Sequence, residues 1–192
     1  MMKNSVVKIM VLGTGLCLLA MPVLGFKEED LEKLRRTNEC IRCDFLAKLN
    51  PKTYVYGLDY SSEALKVAKI NKEKFNLDNF YLINSNWLEP FKENSFDIVV
   101  SNPPYVAPSD PHLEELKHEP ILALISEQNG LEDFDLISSQ AIKVLKVDGL
   151  LAFEHGNNQS NDVKKIMTIY GFKNITLIHD YQSNPRITIG KK

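Results

Sequence analysis

Asp97-Ile98-Val99-Val100-Ser101-Asn102-Pro103-Pro104-Tyr105 is the stretch from which the rest of the chain can be read. Three β-prone apolar residues run into a polar pair, and two prolines then exclude both helix and ladder pairing. The segment reads as a buried strand ending in a stiff extended loop, with Asn102 and Tyr105 at the strand's carboxyl end. In open α/β sheets such ends are where ligands bind. The Asn102 carboxamide offers one acceptor and two donors, the proline carbonyls accept with no competing N–H beside them, and the Tyr105 ring can flatten a planar group against them. Such a set suits a planar NH2 group whose nitrogen lone pair faces a methyl donor. The competing reading is a plain proline-rich turn after a core strand.

On either side of this stretch, from Leu46 onward, strands and helices alternate. Lys52 to Leu58 reads as a strand closed by Asp59, followed by a helix capped by Ser61 or Ser62 and running to about Phe75. Phe80 to Asn84 and Phe96 to Ser101 are the next strands, and residues 106 to 129 form a long loop of the kind that usually carries function. Gly130 to Val147 is an amphipathic helix stopped by Asp148-Gly149. Strand Leu150 to Phe153, a helix from about Ser160 to Tyr170, and strands Ile175 to His179 and Arg186 to Ile189 complete the pattern. The alternation predicts an α/β fold, mostly parallel, with a C-terminal antiparallel hairpin.

The 192 residues and 44% hydrophobic content suit one domain with a proper core. Lys plus Arg (23) nearly balances Asp plus Glu (25), which argues against nucleic-acid binding carried mainly by phosphate contacts. Cysteines 17, 40 and 43 form no disulfide framework. Cys40-Ile41-Arg42-Cys43 is a lone pair of potential zinc ligands, far in sequence from His112, His118, His155 and His179, so no metal site is expected.

Residues 1–26 differ in character. Lys3 and Lys8 precede an apolar run from Ile9 to Leu24, with small residues suited to cleavage before Phe26, so the segment reads as a secretory leader. Leu12-Gly13-Thr14-Gly15 also resembles the start of a glycine-rich nucleotide loop. Against that, no acid precedes it, Leu16-Cys17 stands where a further glycine is wanted, and Asp59 lies more than twice the usual separation of about 20 residues away. The expected organisation is a leader over 1–26, a charged linker over 27–45, and a partial catalytic domain over 46–192.

Three positions converge on a nucleotide site. Asp59 ends a strand, where a carboxylate can accept from both ribose hydroxyls. Trp87, the only tryptophan, follows the next strand and could stack on an adenine. Asn102 follows the third. The alternatives are that Asp59 caps the following helix and that Trp87 is a core aromatic.

From about Leu46 to Lys192 the chain resembles the bacterial glutamine N5-methyltransferases of peptide chain release factors, within the class I S-adenosylmethionine-dependent methyltransferases. The matching residues are Gly57-Leu58-Asp59 with Ser62-Glu63-Ala64-Leu65, Asn102-Pro103-Pro104-Tyr105, Glu119-Pro120 with Ala123-Leu124, and Gly130-Leu131. They continue through Leu145 with Gly149, Glu154-His155-Gly156 with Gln159, Gly171-Phe172, and Asp180-Tyr181 leading to Arg186 and Gly190. Asn-Pro-Pro-Tyr is shared with DNA and RNA amino-methyltransferases; the ordered set is far more specific.

The resemblance implies a Rossmann-like sheet, S-adenosylmethionine as cofactor and a release factor as protein substrate. It further implies that Asp59 binds the cofactor ribose, Trp87 borders the adenine, and Asn102 lies near both cofactor and substrate. Asn102 and the Pro103 carbonyl would hold a glutamine NH2, with Pro104 and Tyr105 completing the clamp. In the family a helical domain, a first strand and an Asp-Leu-Gly-Thr-Gly-Ser-Gly loop come first. Here Leu46-Ala47-Lys48-Leu49-Asn50-Pro51 matches the tail of the helix after that loop, so the first strand and loop are expected to be missing and cofactor binding weak or absent. The resemblance implies a cytoplasmic enzyme, whereas the leader implies export. Two other functions stand beside this one: an adenine amino-methyltransferase on nucleic acid, and a non-catalytic secreted or membrane-tethered binding protein.

Overall fold

In the computed structural model, residues 7–12, 53–114, 123–180 and 182–192 are described. Strands β2 (Thr53–Asp59), β3 (Phe80–Asn84), β4 (Phe96–Ser101), β5 (Leu145–Glu154), β6 (Lys173–His179) and β7 (Pro185–Lys191) lie where the alternation predicts strands. Helices α1 (Ser62–Lys74), α2 (Glu132–Val144) and α3 (Ser160–Ile169) lie between them. Ser61 caps α1, its side chain accepting from the Ala64 N–H at 3.2 Å.

A further strand occupies a place the sequence reading left vacant. β1 (Val7–Leu12) lies between β2 and β4, parallel to both, in a sheet ordered β3-β2-β1-β4-β5-β7-β6. The expected leader over 1–26 is therefore corrected over these residues, and so is the missing first strand. The physical reason is that a central parallel strand, buried on both faces, is a continuous apolar run with the composition of a leader's hydrophobic core. Met10 is fully buried in the main core beside Val99, Leu151 and Phe153. Lys8, which resembles a leader's basic flank, donates its backbone N–H to the Asp97 carboxylate at 2.8 Å, and Lys146 pairs with the same carboxylate at 2.8 Å. One acid thus pins the starts of β1, β4 and β5 together.

The sheet is parallel except for β7, which runs antiparallel to both β5 and β6. The predicted hairpin is present, inserted so that its second strand meets β5. Asp180 builds its turn, accepting from the backbone N–H groups of Gln182 and Asn184 at 2.9 Å each.

α2 ends at Val144 rather than Val147, and β5 begins at Leu145, earlier than the alternation suggests. The β-branched Val147 favours the strand, Asp148 takes a left-handed φ of 66°, and a register shift between Phe96 and Ile98 accommodates the irregularity. α2 buries Phe134, Ile137, Ala141 and Val144 on one face. Phe134 meets Phe153 edge-on with ring centroids 5.1 Å apart, which locks α2 onto the carboxyl half of β5.

Candidate active site

The order of the strands fixes where a ligand can sit. From β1 the chain winds outward through β2 and β3, then returns to the other side of β1 as β4, so the switch point lies between β1 and β4. The registers show what meets there. Leu12 lies level with Leu58 on β2 and with Ser101 on β4, and Ser101 lies level with Phe153 on β5. One residue beyond this row stand Asp59, Asn102 and Glu154, while the chain leaves β1 at Leu12 toward Gly13. With strands about 4.8 Å apart, Asp59 and Asn102 flank the exit of β1 at roughly 10 Å from one another.

Asp59 is half-buried, and one of its carboxylate oxygens accepts from the Ser61 N–H at 2.7 Å. Ser61, not Asp59, is therefore the helix cap. Asn84, level with Asp59 on β3, donates its side-chain amide to the carbonyls of Asp59 and Tyr60 at 3.0 and 2.8 Å. The β2 terminus is thus held from both sides.

Trp87 bears out the core-aromatic alternative in part. It is half-buried and packs against the core cluster, yet its backbone has a left-handed φ of 50° and its carbonyl accepts from the Ser85 hydroxyl at 2.7 Å. The Asp133 backbone N–H donates to the Ser126 hydroxyl oxygen at 3.2 Å, and the Asp133 carboxylate lies close enough to Ser126 and Trp87 to be influenced by both. Burial raises the Asp133 pKa above the ordinary carboxylate value, opposed by the Ser126 bond, assisted by Glu132 and opposed again by the Trp87 bond.

Asn102 follows β4 directly. Its Oδ1 and the Ser101 hydroxyl oxygen are buried and meet no hydrogen-bond partner among the described residues. Buried acceptors are nearly always satisfied in native proteins, so these two oxygens at the switch point, like Ser138 Oγ on α2, call for a donor that the described residues do not supply. Pro103 is buried, and Pro104 and Tyr105 are half-buried.

The loop beyond Tyr105 is tied down by backbone and side chain together. The Val106 N–H donates to the Leu124 carbonyl at 2.9 Å and the Val106 carbonyl accepts from Ser126 N–H at 3.0 Å. The Tyr105 carbonyl accepts from the Gln159 side chain at 3.0 Å. Gly130 has a φ of +80°, and a Cβ there would stand 2.2 Å from the Tyr105 carbonyl oxygen, so only glycine fits.

His155 is buried behind this loop, with Nε2 2.9 Å from the Thr188 hydroxyl and Nδ1 2.8 Å from the Gly156 carbonyl. Burial pushes its pKa below the ordinary imidazole value, the Gly156 bond opposes this, and the Arg186 charge adds to it. Arg186 donates to the His155 carbonyl at 3.3 Å and pairs with Asp180 at 3.8 Å. The Asn184 backbone N–H is the main reason the Asp180 pKa lies below the usual carboxylate range.

A methyltransferase domain family model matches residues 40–183. The chain belongs to this family. Among curated relatives, the release factor glutamine methyltransferase of Aliivibrio fischeri is 36% identical over 149 residues, covering 76% of this chain and 52% of the relative. The bifunctional methyltransferase of Rickettsia prowazekii is 35% identical over 169 residues, covering 86% of this chain and 32% of the relative. The chain thus spans between about a third and about half of the length of these two methyltransferases. A methyltransferase structure from Pyrococcus furiosus overlays with a TM-score of 0.59 at 18% identity, covering 97% of this chain and 74% of that one. Neighbours of this kind establish the class I methyltransferase fold.

Several expectations fall on residues outside the described ones: the glycine segment after Leu12, the linker over 27–45, all three cysteines, Glu119-Pro120 and Tyr181. Among the described residues, no group of three or more His, Cys, Asp or Glu could hold a metal ion, and no helix is long and apolar enough to cross a membrane. Sequence reading quoted Gly130 and Gln159 without a role and did not single out Ser126 or Asp133. The Gln159 contacts to Tyr105 and Gly130 span 54 and 29 residues, whereas Asp133 donates its backbone N–H to the Ser126 hydroxyl only seven residues away.

Proposed function

We propose that this chain transfers a methyl group from S-adenosylmethionine to the side-chain amide nitrogen of a glutamine in peptide chain release factors, within their Gly-Gly-Gln loop. The observation that carries the reading is the Asn102 Oδ1, buried and without a partner among the described residues at the carboxyl end of β4. An amide NH2 is the donor such an acceptor lacks. The curated relatives named for release factor glutamine methylation support the choice of substrate.

The residues on the sheet edge fit the cofactor. Asp59 would accept from the ribose hydroxyls and Trp87 would border the adenine, while Leu12-Gly13-Thr14-Gly15 is the candidate sequence for the methionine end. That stretch carries Val11 in place of the family's acid and Cys17 in place of a further glycine. When bound, the cofactor supplies an electrophilic methyl on a sulfonium, so the protein needs no nucleophilic side chain. Asn102 Oδ1 and the Pro103 carbonyl accept the two hydrogens of the substrate NH2, with Tyr105 against its plane, which directs the nitrogen lone pair along one line. The same acceptors ease the positive charge that builds on nitrogen, and the proton leaves to water after transfer.

The test is mass spectrometry of release factor incubated with the chain and S-adenosylmethionine. One methyl on the Gly-Gly-Gln glutamine is expected, and Asn102→Ala should abolish it while the fold survives. Normal methylation by that variant, or methyl appearing on nucleic acid and none on the release factor, contradicts the proposal.

A further inference from the structure

Gln159 binds three loops at once. Its Nε2 donates to the Tyr105 carbonyl at 3.0 Å and to the Gly130 carbonyl at 3.3 Å, and its Oε1 accepts from the Gly156 N–H at 3.0 Å. The loops after β4 and β5 and the turn before α2 therefore meet on one carboxamide. The mount is rigid: the Gln159 carbonyl accepts from Asp162 and Val163 N–H at 3.0 Å each, opening α3, and Val163 is fully buried.

The geometry leaves no slack at this junction. Gly130 and the Tyr105 carbonyl are in backbone contact, and a Cβ on Gly130 would also stand 2.9 Å from Gln159 Nε2. Between Tyr105 and Asn102 lie only Pro103 and Pro104, whose rings fix φ. Holding the Tyr105 carbonyl therefore limits how far the Asn102 backbone can shift relative to it. Few other side chains could substitute: glutamate at neutral pH has no donor, and asparagine is one methylene shorter.

We infer that Gln159 is a positioning residue for methyl transfer, acting through the Tyr105 carbonyl to hold Asn102 in line; this rests on the proposed reading of the Asn102–Tyr105 loop. A displacement of about 1 Å in such a loop is enough to cost on the order of 100-fold in rate.

Gln159→Ala and Gln159→Glu in the full chain test this, with release factor as substrate. Gln159→Ala should lower kcat about 10- to 100-fold while S-adenosylmethionine affinity, measured by calorimetry, stays within about twofold. Gln159→Glu should match it near pH 8 and recover relative to the native chain below about pH 6, where a protonated carboxyl can donate to Tyr105 while still accepting from Gly156. A purely structural role lowers the urea midpoint without that acid recovery. Native kcat in both variants, or a Glu variant that tracks the Ala variant at every pH, overturns the inference.

Hydrogen exchange separates this outcome from failure of the proposed function. If the native chain methylates no release factor, the functional reading falls, yet Gln159→Ala should still speed exchange of the Val106 and Ser126 amides, which bond Leu124 and Val106, about tenfold, leaving the β5 amides unchanged. Unchanged protection at Val106 and Ser126 refutes the positioning role by itself.

Discussion

Deletion of residues 1–25, the cut a secretory leader ending before Phe26 would receive, should unfold this protein. β1 has six register pairs with β2 and four with β4. At about one net hydrogen bond per register pair and about 0.5–1.5 kcal/mol per bond, the ladders make the strand worth on the order of 5–15 kcal/mol. Burial of Met10, which is fully inaccessible, contributes about 1.5–3 kcal/mol more. Together these rival the whole stability of an ordinary domain, about 5–15 kcal/mol. Deletion would also expose the inner edges of β2 and β4, which invites edge-to-edge association. The graded version is Met10→Ala, expected to cost about 2–5 kcal/mol and to lower Tm by about 2–4 °C per kcal/mol. Urea unfolding followed by circular dichroism and by fluorescence of Trp87, the only tryptophan, reads both variants. A chain beginning at Phe26 that unfolds with the native midpoint and slope would show that β1 contributes nothing to the sheet.

Asp59→Ala should weaken S-adenosylmethionine binding about 10- to 100-fold in calorimetry, since a carboxylate hydrogen bond is worth about 1.5–3 kcal/mol, without moving the urea midpoint by more than a few tenths of a molar unit. Gly130→Ala combines a left-handed φ with a Cβ driven against the Tyr105 carbonyl and should cost about 2–4 kcal/mol in denaturant unfolding. His155 gives a pH dependence whose sign follows from its lowered pKa. The unfolded imidazole takes up a proton near pH 6.5 while the folded one resists until lower pH, so this contribution is complete above about 6.5 and declines as pH falls below it. The urea midpoint should therefore drop between about pH 7.5 and 5.5, and His155→Gln should flatten that slope.

The parts of the fold that sequence revealed are those whose signal is local. Asn102-Pro103-Pro104-Tyr105 was readable because two prolines after an apolar run admit little besides a strand ending in a stiff loop. Ser61 ahead of α1 and the apolar spacing of Phe134, Ile137 and Ala141 on α2 are likewise written within a few residues. Gln159 is the opposite case. Its bond to Gly156 is local, but its other two partners, Tyr105 and Gly130, belong to segments that reach it only when the loop after β4 and the turn before α2 come together.

β1 shows why composition could mislead where register could not. A strand buried on both faces and the hydrophobic core of a leader answer the same demand, apolar side chains in every direction, so their residues look alike. What separates them is pairing across distance. Lys8 donates to an acid 89 positions away, and Leu12 is level at once with Leu58 and Ser101. Once that row is fixed, the positions of Asp59 and Asn102 on either side of the β1 exit follow from strand spacing alone. Leu12, the residue before the Gly13-Thr14-Gly15 sequence set aside for its missing acid and glycine, ends β1 between the residue assigned to the ribose and the residue assigned to the reacting amide. Cys17→Gly restores the family's glycine, and if that segment holds the cofactor the change should tighten S-adenosylmethionine binding in calorimetry. Unaltered affinity in that variant would count against the segment as the cofactor loop while leaving β1 in the sheet.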